Sequence, residues 1–447
     1  MNSYELRKYI SFKDGFDKKT QLILFSIILI YFSIISYLRQ LRFEYIQNIC
    51  KKAIKKRNGE YNKNENKENL EEASTWRIHN LITACELKFE ALVAMNTRGL
   101  FITYAIPSIS SVLHKTGGFD HDTDRRYADM ELLIREFCEC AIDGTNIWNG
   151  QPDRAKKAIL RLNAIHDQYS HIITYRDMVY VLTVFMTAPQ TFFNSRWSWR
   201  SCSDIEKDCI FWQWVDIGEM MNLQVRKHFK SIQDVLQYKQ EFESKHMRYA
   251  KCNEIVAKST IEFFLKGVVP SFLHGITRPI ILRVMSVMQE TPRHASALGL
   301  PTPTIMSSPF DWLLTHMLYR IIDISLTTKA ILTRYLLPPL PLSWIDRLTG
   351  SSPINQIIDN SNSSSSDSRG SSSNKGCPFA YRPSRPLLFN NKTYTPKPTA
   401  STANNSSNSV ITGTGEYIIE NMGPKHIPIG KVCMNPRYLG ADQAKII

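Results

Sequence analysis

The chain of 447 residues, 43% of them hydrophobic, has room for one large domain or two small ones. Its formal net charge of +14 is typical of proteins that bind nucleic acid. No basic-aromatic stripe accompanies that charge, which gathers beside an apolar segment and in polar tails, so we expect a lipid bilayer and no nucleic acid as partner. Nine cysteines without a zinc-site spacing or a disulfide framework indicate reduced thiols and a cytosolic environment.

The first element in the chain is a charge-free, Ile-rich run from Leu22 to Leu38, which is near the short limit for a transmembrane helix. It lies far from the N-terminus and lacks a small-residue cleavage site, which argues against a signal peptide. We therefore predict a single-pass anchor after an N-terminal flank of residues 1–21. Lys and Arg lie on both sides, with a slight excess after Leu38 that favours a cytosolic body. Residues 39–73 are predicted to be a basic, polar tether.

A single helical domain is predicted for residues 74–349. Hydrophobic residues recur there at helical spacing, and no β-branched stretch is flanked by hairpin turns, which indicates an all-α fold. Two capping boxes, Thr174 with Asp177 and Ser203 with Glu206, predict helix starts. Further helices are predicted over 232–250, 253–268, 278–290 and 309–335. An aromatic cluster could wall a flat ligand, although core packing is the commoner role for such residues; its members are Trp197, Trp199, Phe211, Trp212 and Trp214.

The C-terminal part, residues 350–447, is rich in Ser and Asn and is predicted to be largely disordered. Short ordered elements are expected near 377–390 and 416–440. The Cys-Pro dipeptide at Cys377 suggests a thiolate haem ligand, but it lacks the surrounding glycines and arginine and is discounted. The chain contains no phosphate-binding loop, zinc-protease motif, nucleophile elbow or dinucleotide fingerprint.

The segment from Arg154 predicts an amphipathic helix with a histidine on its inward face. That face holds Ala155, Ala158, Ile159, Leu162, Ile165, His166 and Tyr169, and the opposite face holds Lys156, Lys157, Arg161, Asn163 and Asp167. An inward histidine is either a core residue with a satisfied hydrogen bond or a ligand. Neutral imidazole coordinates iron, and an apolar shell around it suits a haem.

The segment from Arg125 predicts a companion helix whose apolar stripe includes Met130, Leu133 and Ile134. Arg126 lies on the same stripe, one turn before Met130. An inward arginine needs an anion or an interior carboxylate, so a structural ion pair and a cofactor contact both remain open.

Four pieces of the chain together resemble the family of rubber oxygenases (latex-clearing proteins) and MpaB-type ER-bound oxygenases. They are PheIleThrTyrAlaIleProSerIleSer from Phe101, ArgArgTyrAlaAspMetGluLeuLeuIleArgGluPhe from Arg125, ArgLeuAsnAlaIleHis ending at His166, and TrpArgSerCysSerAspIleGlu from Trp199. The resemblance implies an all-helical protein that holds haem b through one axial histidine. Carried over by position, His166 is the iron ligand, Arg126 is the pocket arginine, and Met130 replaces a threonine usual in the family.

The resulting hypothesis is a membrane-anchored, haem b-dependent oxygenase that uses dioxygen to cleave a lipophilic, unsaturated, isoprenoid-like chain. Arg126 would polarise the oxygen or pair with a haem propionate. The resemblance also suggests the endoplasmic reticulum as the membrane. The alternative is a non-catalytic helical scaffold at the membrane, in which His166 and Arg126 are core residues. An intermediate hypothesis is a haem-binding protein that has lost catalysis, which the methionine at position 130 would explain.

Overall fold

The computed structural model describes residues 18–59, 98–117, 154–195, 197–301 and 308–339, with single positions between 74 and 82 and between 126 and 142. These residues form helices, turns and loops without a β-strand, which confirms the all-α prediction. The helices are α1 (Lys18–Arg57), α2 (Pro107–Lys115), α3 (Arg154–Gln168), α4 (Tyr175–Phe193), α5 (Asp204–Met220), α6 (Val225–His228), α7 (Ile232–His246), α8 (Lys251–Val268), a 3₁₀ turn (Ser271–Leu273), α9 (His274–Val287), α10 (Pro292–Ala297) and α11 (Pro309–Tyr335).

Helix starts agree with the two predicted caps, one fully and one in part. At α5, Ser203 and Glu206 form a complete capping box, and the Glu206 carboxylate also pairs with Arg200 at 2.6 Å. At α4, the Thr174 hydroxyl accepts the backbone N–H of Asp177 at 3.1 Å. The Asp177 carboxylate does not accept the backbone N–H of Thr174, as a capping box requires, but it accepts the hydroxyl of Ser108 at 2.8 Å. The predicted box at Thr174 is therefore a single cap, and Asp177 is used elsewhere.

Helix α1 joins the apolar run to the helical body without a break. Its first half is largely exposed, and it is, within the described chain, the one helix long and apolar enough to cross a membrane. Its second half buries Ile46, Ile49, Cys50 and Ala53 at three-and-four spacing against α5. Residues 39–57 of the predicted tether are thus part of this helix and packed on the body, and the remainder from residue 60 lies outside the described residues.

Polar contacts fix the second half of α1 on the body. The Gln47 amide donates to the Ser203 hydroxyl at 2.8 Å, and the Arg57 guanidinium forms a bidentate pair with Asp216 at 2.7 and 2.9 Å. Two-pronged Arg–carboxylate pairs fix orientation as well as distance. The helix is thus held in one rotation about its own axis.

The aromatic cluster mainly forms the seam between α1, α5 and α11. Arg39 lies over the Trp199 ring at 4.5 Å and Arg57 over Trp212 at 4.1 Å, both from α1. The indole of Trp197 donates to the Asp323 carboxylate of α11 at 2.8 Å. Only Trp214 of this cluster also lines the cavity described below. Core and seam packing is therefore the principal role of the cluster.

Helix α3 has the predicted inward face, since Ala155, Ala158 and Ile159 are fully buried. Two residues of the opposite face, Arg161 and Asn163, are also buried. Asn163 donates its side-chain amide to the carbonyl of Met220 at 3.1 Å, at the C-terminal end of α5. A polar residue can be buried there because it satisfies a helix-end carbonyl.

Candidate functional site

A cavity opens between α2, α3, α4, α5 and the segments around residues 98–104 and 126–134. It comprises about 1240 Å³ of space free of protein atoms, counting the part that is open to solvent. Its wall is mostly aliphatic and aromatic, for example Leu100, Ile165, Phe185 and Trp214. The cavity therefore has the character of a site for an apolar ligand.

His166 and Arg126, the two principal predicted site residues, both line this cavity, as does Met130. His166 lies near the C-terminal end of α3, where the helical spacing directs it with Ile165 and Leu162 toward the cavity. Arg126 and Met130 are helical positions one turn apart. His171, a second histidine five positions further along the chain, is exposed and is not part of the wall. The structure thus brings together the residues that the sequence singled out.

The electrostatics of the cavity hold the histidine neutral. Burial lowers the pKa of His166 to about 4, and the positive charge of Arg126 acts on it in the same direction. Burial also lowers the pKa of Arg126, while the neighbouring Asp129, Tyr169 and Tyr104 raise it. Arginine is effectively always protonated in proteins. At neutral pH the cavity therefore holds an uncharged imidazole, the form that binds metals, beside a permanent positive charge.

Tyr104 and Tyr169 add two phenols to the wall. Burial raises the pKa of both, while the charge of Arg126 lowers it, and Tyr104 also has a hydrogen bond with Thr260 that lowers it. Both phenols therefore remain protonated and can donate hydrogen bonds. Tyr104 belongs to the motif that begins at Phe101. No periodicity in the sequence indicates that its side chain lines the same cavity as Arg126.

Asp177 is the acidic residue of the wall that sequence reasoning assigned to a cap alone. It is buried at the start of α4, and burial raises its pKa, while hydrogen bonds with Ser108 and Thr174 and the charge of His246 lower it. A buried carboxyl with a raised pKa beside a cavity can exchange a proton with a ligand. No sequence signal separates this role from ordinary capping.

The Asp177→Asn variant is expected to gain free energy of unfolding relative to wild type as the pH increases. An acid with a raised folded-state pKa stabilises the fold fully below its unfolded pKa, ordinarily 3.8, and loses that contribution as the pH rises through its folded pKa. The amide of the Asp177→Asn variant does not titrate, so the variant gains on wild type between about pH 4 and neutral pH. Urea unfolding of the detergent-solubilised protein at both pH values measures this.

Ser108→Ala is the matched control, because it removes the hydrogen bond to Asp177 at about 1 kcal/mol but leaves the carboxyl group in place. If the stability difference between Asp177→Asn and wild type is the same at both pH values, the raised pKa of Asp177 is contradicted.

A haem is compatible with the groups that the cavity contains. A haem iron needs one protein ligand, which His166 can supply, and its carboxylates need a positive partner, which Arg126 can supply. Within the described residues, no three His, Cys, Asp or Glu side chains come together as a metal site built from side chains would require. The donor set therefore suits a prosthetic group better than a bare ion.

The described chain is thus an all-helical protein with an apolar cavity, a neutral inward histidine and an arginine beside it. No protein-family model matches the chain. It is 30% identical over 257 residues to the ER-bound oxygenase mpaB' of Penicillium brevicompactum, a match covering 54% of each protein. It is 31% identical over 162 residues to the ER-bound oxygenase mpaB of Penicillium roqueforti (strain FM164), covering 33% of this chain and 51% of that protein.

The mpaB protein of Penicillium brevicompactum is also 31% identical over 162 residues, covering 33% of this chain and 39% of its own length. The chain thus matches about half the length of the first two relatives, and less of the third. These relatives confirm the resemblance to ER-bound oxygenases that the sequence motifs indicated.

Proposed function

We propose that this chain is a membrane-anchored, haem b-dependent oxygenase that cleaves a lipophilic, unsaturated, isoprenoid-like chain with dioxygen. The observation that carries the proposal is the shared cavity of His166 and Arg126, with its largely apolar wall. The relatives named as oxygenases support the reaction class. The apolar run at the N-terminal end of α1 supports attachment to a membrane.

In this proposal each residue of the cavity has a defined task. His166 would hold the iron through a ring nitrogen, which is available because its low pKa keeps the imidazole neutral. Arg126 would pair with a haem propionate or polarise the oxygen substrate. A bound haem would supply the redox-active iron that dioxygen chemistry needs. By the family resemblance Met130 replaces a threonine, which would make the wall beside Arg126 less polar.

The apolar wall would hold the hydrocarbon substrate and exclude water from it. Leu100, Met178 and Phe185 offer no hydrogen bonds, so they favour a chain without polar groups over a polar metabolite. A substrate of this kind concentrates in a bilayer rather than in water. An enzyme anchored at the membrane therefore meets it at a higher local concentration.

The direct test is the absorption spectrum of the full chain, purified in detergent after expression with a haem precursor. A Soret band that shifts on reduction and again with carbon monoxide is expected. The His171→Ala variant should keep that spectrum, because His171 is exposed outside the cavity. A correctly folded protein without any haem absorption would favour the scaffold function instead.

The body is expected to face the cytosol, and the tail provides a test of that orientation. Asn362, Asn391, Asn404 and Asn405 begin Asn-Xxx-Ser/Thr sequons in a part of the chain that lies outside the described residues. A cytosolic tail should carry no glycan at any of them. An endoglycosidase-sensitive mass shift of the protein expressed in eukaryotic cells would reverse the predicted orientation.

A further inference from the structure

Helix α11 has its polar and apolar residues in the reverse of the usual order for a helix at a protein surface. Its buried side chains include Thr315, Asp323 and Thr333, each no more than 5% exposed. Its outward side chains include many large apolar ones, with exposures from 45% to 71% for the following six: Phe310, Met317, Ile321, Ile324, Ile331 and Tyr335. A helix in contact with water normally buries such residues instead.

The outward residues form one face, since successive members are separated by seven, four, three, seven and four positions. The carboxylate of Asp323 is turned away from this face and accepts the indole N–H of Trp197. The arrangement is therefore specific, with a fixed polar side toward the protein and an apolar side toward the exterior. An apolar face of this extent marks an interaction surface.

The end of α11 is attached to the exposed apolar half of α1. The Tyr31 hydroxyl donates to the carbonyl of Leu336 at 2.5 Å, and the Arg39 guanidinium donates to the carbonyls of Thr333 and Leu337. Tyr31 lies seven residues before Leu38, which is about 10 Å along a helix. The C-terminal end of α11 therefore lies beside the apolar run and not beyond it.

The contact from Arg39 satisfies the carbonyl of Thr333, which is one of the last four carbonyls of α11 and has no partner within the helix. The other two contacts satisfy the carbonyls of Leu336 and Leu337, just after the helix. Carbonyls without partners are most costly where water is absent, so this arrangement suits an end placed in lipid. Arg334 and Tyr335 follow the pattern of interfacial anchors, with the guanidinium over the phenol ring at 5.3 Å. Among the described helices only α1 is apolar enough to span, so α11 would lie along the membrane.

We infer that α11 is a second membrane-binding element, embedded in the lipid interface of the leaflet next to the body, with phospholipid acyl chains as its partner. This inference rests on α1 being the anchor of the proposed function, and it is independent of haem and of activity. The apolar surfaces of α1 and α11 then form one continuous lipid contact. The body is held at the membrane along a helix as well as by its anchor.

Site-specific photo-cross-linking of the full chain in phosphatidylcholine–phosphatidylserine vesicles tests this inference. A photoreactive benzoylphenylalanine is placed, one at a time, at Met317, Ile324 and Ile331. Phe25 on α1 is the reference for the anchor, and Leu236 on α7, which is 44% exposed, is the control for an exposed apolar position elsewhere. Intact-protein and peptide mass spectrometry then identify what each position reached.

The expected result is a phospholipid adduct at the three α11 positions and at Phe25, with none at Leu236. Cross-links from α11 to residues 340–447, or to a second copy of the chain, would overturn the inference while the Phe25 adduct keeps the anchor. An adduct at Phe25 with no product on α11 would overturn it as well. Absence of lipid adducts at Phe25 and α11 together would overturn both the inference and the anchor.

Discussion

Replacing His166 with alanine is expected to abolish or greatly weaken haem retention, while the helical fold stays largely intact. His166 is the one histidine among the described residues of the cavity wall, so its loss leaves the iron without an imidazole from the protein there. The fold should persist because the inward face of α3 is still carried by Ala158, Ile159 and Ile165. The Soret absorbance per mole of purified protein, with circular dichroism for helicity, measures both effects.

Loss of haem should also lower the melting temperature, because a ligand that binds only the folded state stabilises it. At a free ligand concentration of about 100 times Kd this contribution is about 2.7 kcal/mol. Free imidazole added to His166→Ala should restore part of the Soret band by replacing the missing ring, and His171→Ala should resemble wild type. A full Soret band with unchanged ligation in His166→Ala would exclude His166 as the ligand.

Replacing Arg126 with alanine is expected to have one of two distinguishable effects, according to its partner. Asp129 is buried one turn later, and its charge raises the pKa of Arg126. If Asp129 depends on this pairing, the variant leaves a buried carboxylate without its arginine, at a cost of roughly 3–5 kcal/mol to the apoprotein. If a haem propionate is the main partner, haem binding weakens and the apoprotein changes little.

A double-variant cycle separates the two effects for Arg126. Asp129→Asn combined with Arg126→Ala should recover most of the lost apoprotein stability if the pair is structural, since neither charge then remains. Arg126→Lys keeps the charge but loses the two-pronged geometry, so it should bind haem more weakly than wild type if a propionate is the partner. Wild-type stability and wild-type haem affinity in Arg126→Ala would mean that Arg126 faces solvent.

Periodicity was sufficient to predict α3, α7, α8, α9 and α11 and the inward position of His166. The predicted helix over 309–335 is α11, and the runs at 232–250, 253–268 and 278–290 correspond to α7, α8 and α9 with shifted ends. Helix ends depend on capping and on neighbouring segments, which periodicity does not report. His166 was found because one histidine interrupted an aliphatic face, a pattern that is visible without any tertiary contact.

The parts that sequence reasoning missed depend on contacts between distant segments. Tyr104 and Asp177 line one cavity although they lie far apart in the sequence. The region predicted to be a tether contains apolar residues at helical spacing among its lysines and arginines, and this spacing would have predicted a packed helix. These residues are Ile46, Ile49, Cys50 and Ala53. The burial of Arg161 was not predictable from α3 alone, because a polar residue is buried only where its neighbours supply partners.

Because α1 is unbroken, the position of the cavity relative to the bilayer depends on the number of helical residues between the apolar run and the packed half of α1. Ile46, the first fully buried residue of its packed half, follows Leu38 by eight residues, about 12 Å of helix. Inserting one residue between these two positions would turn the body by about 100° about the helix axis and move it by about 1.5 Å. The number of residues in this helical stretch therefore determines which face of the body is turned toward the membrane. A flexible linker of the same length would leave that orientation undefined.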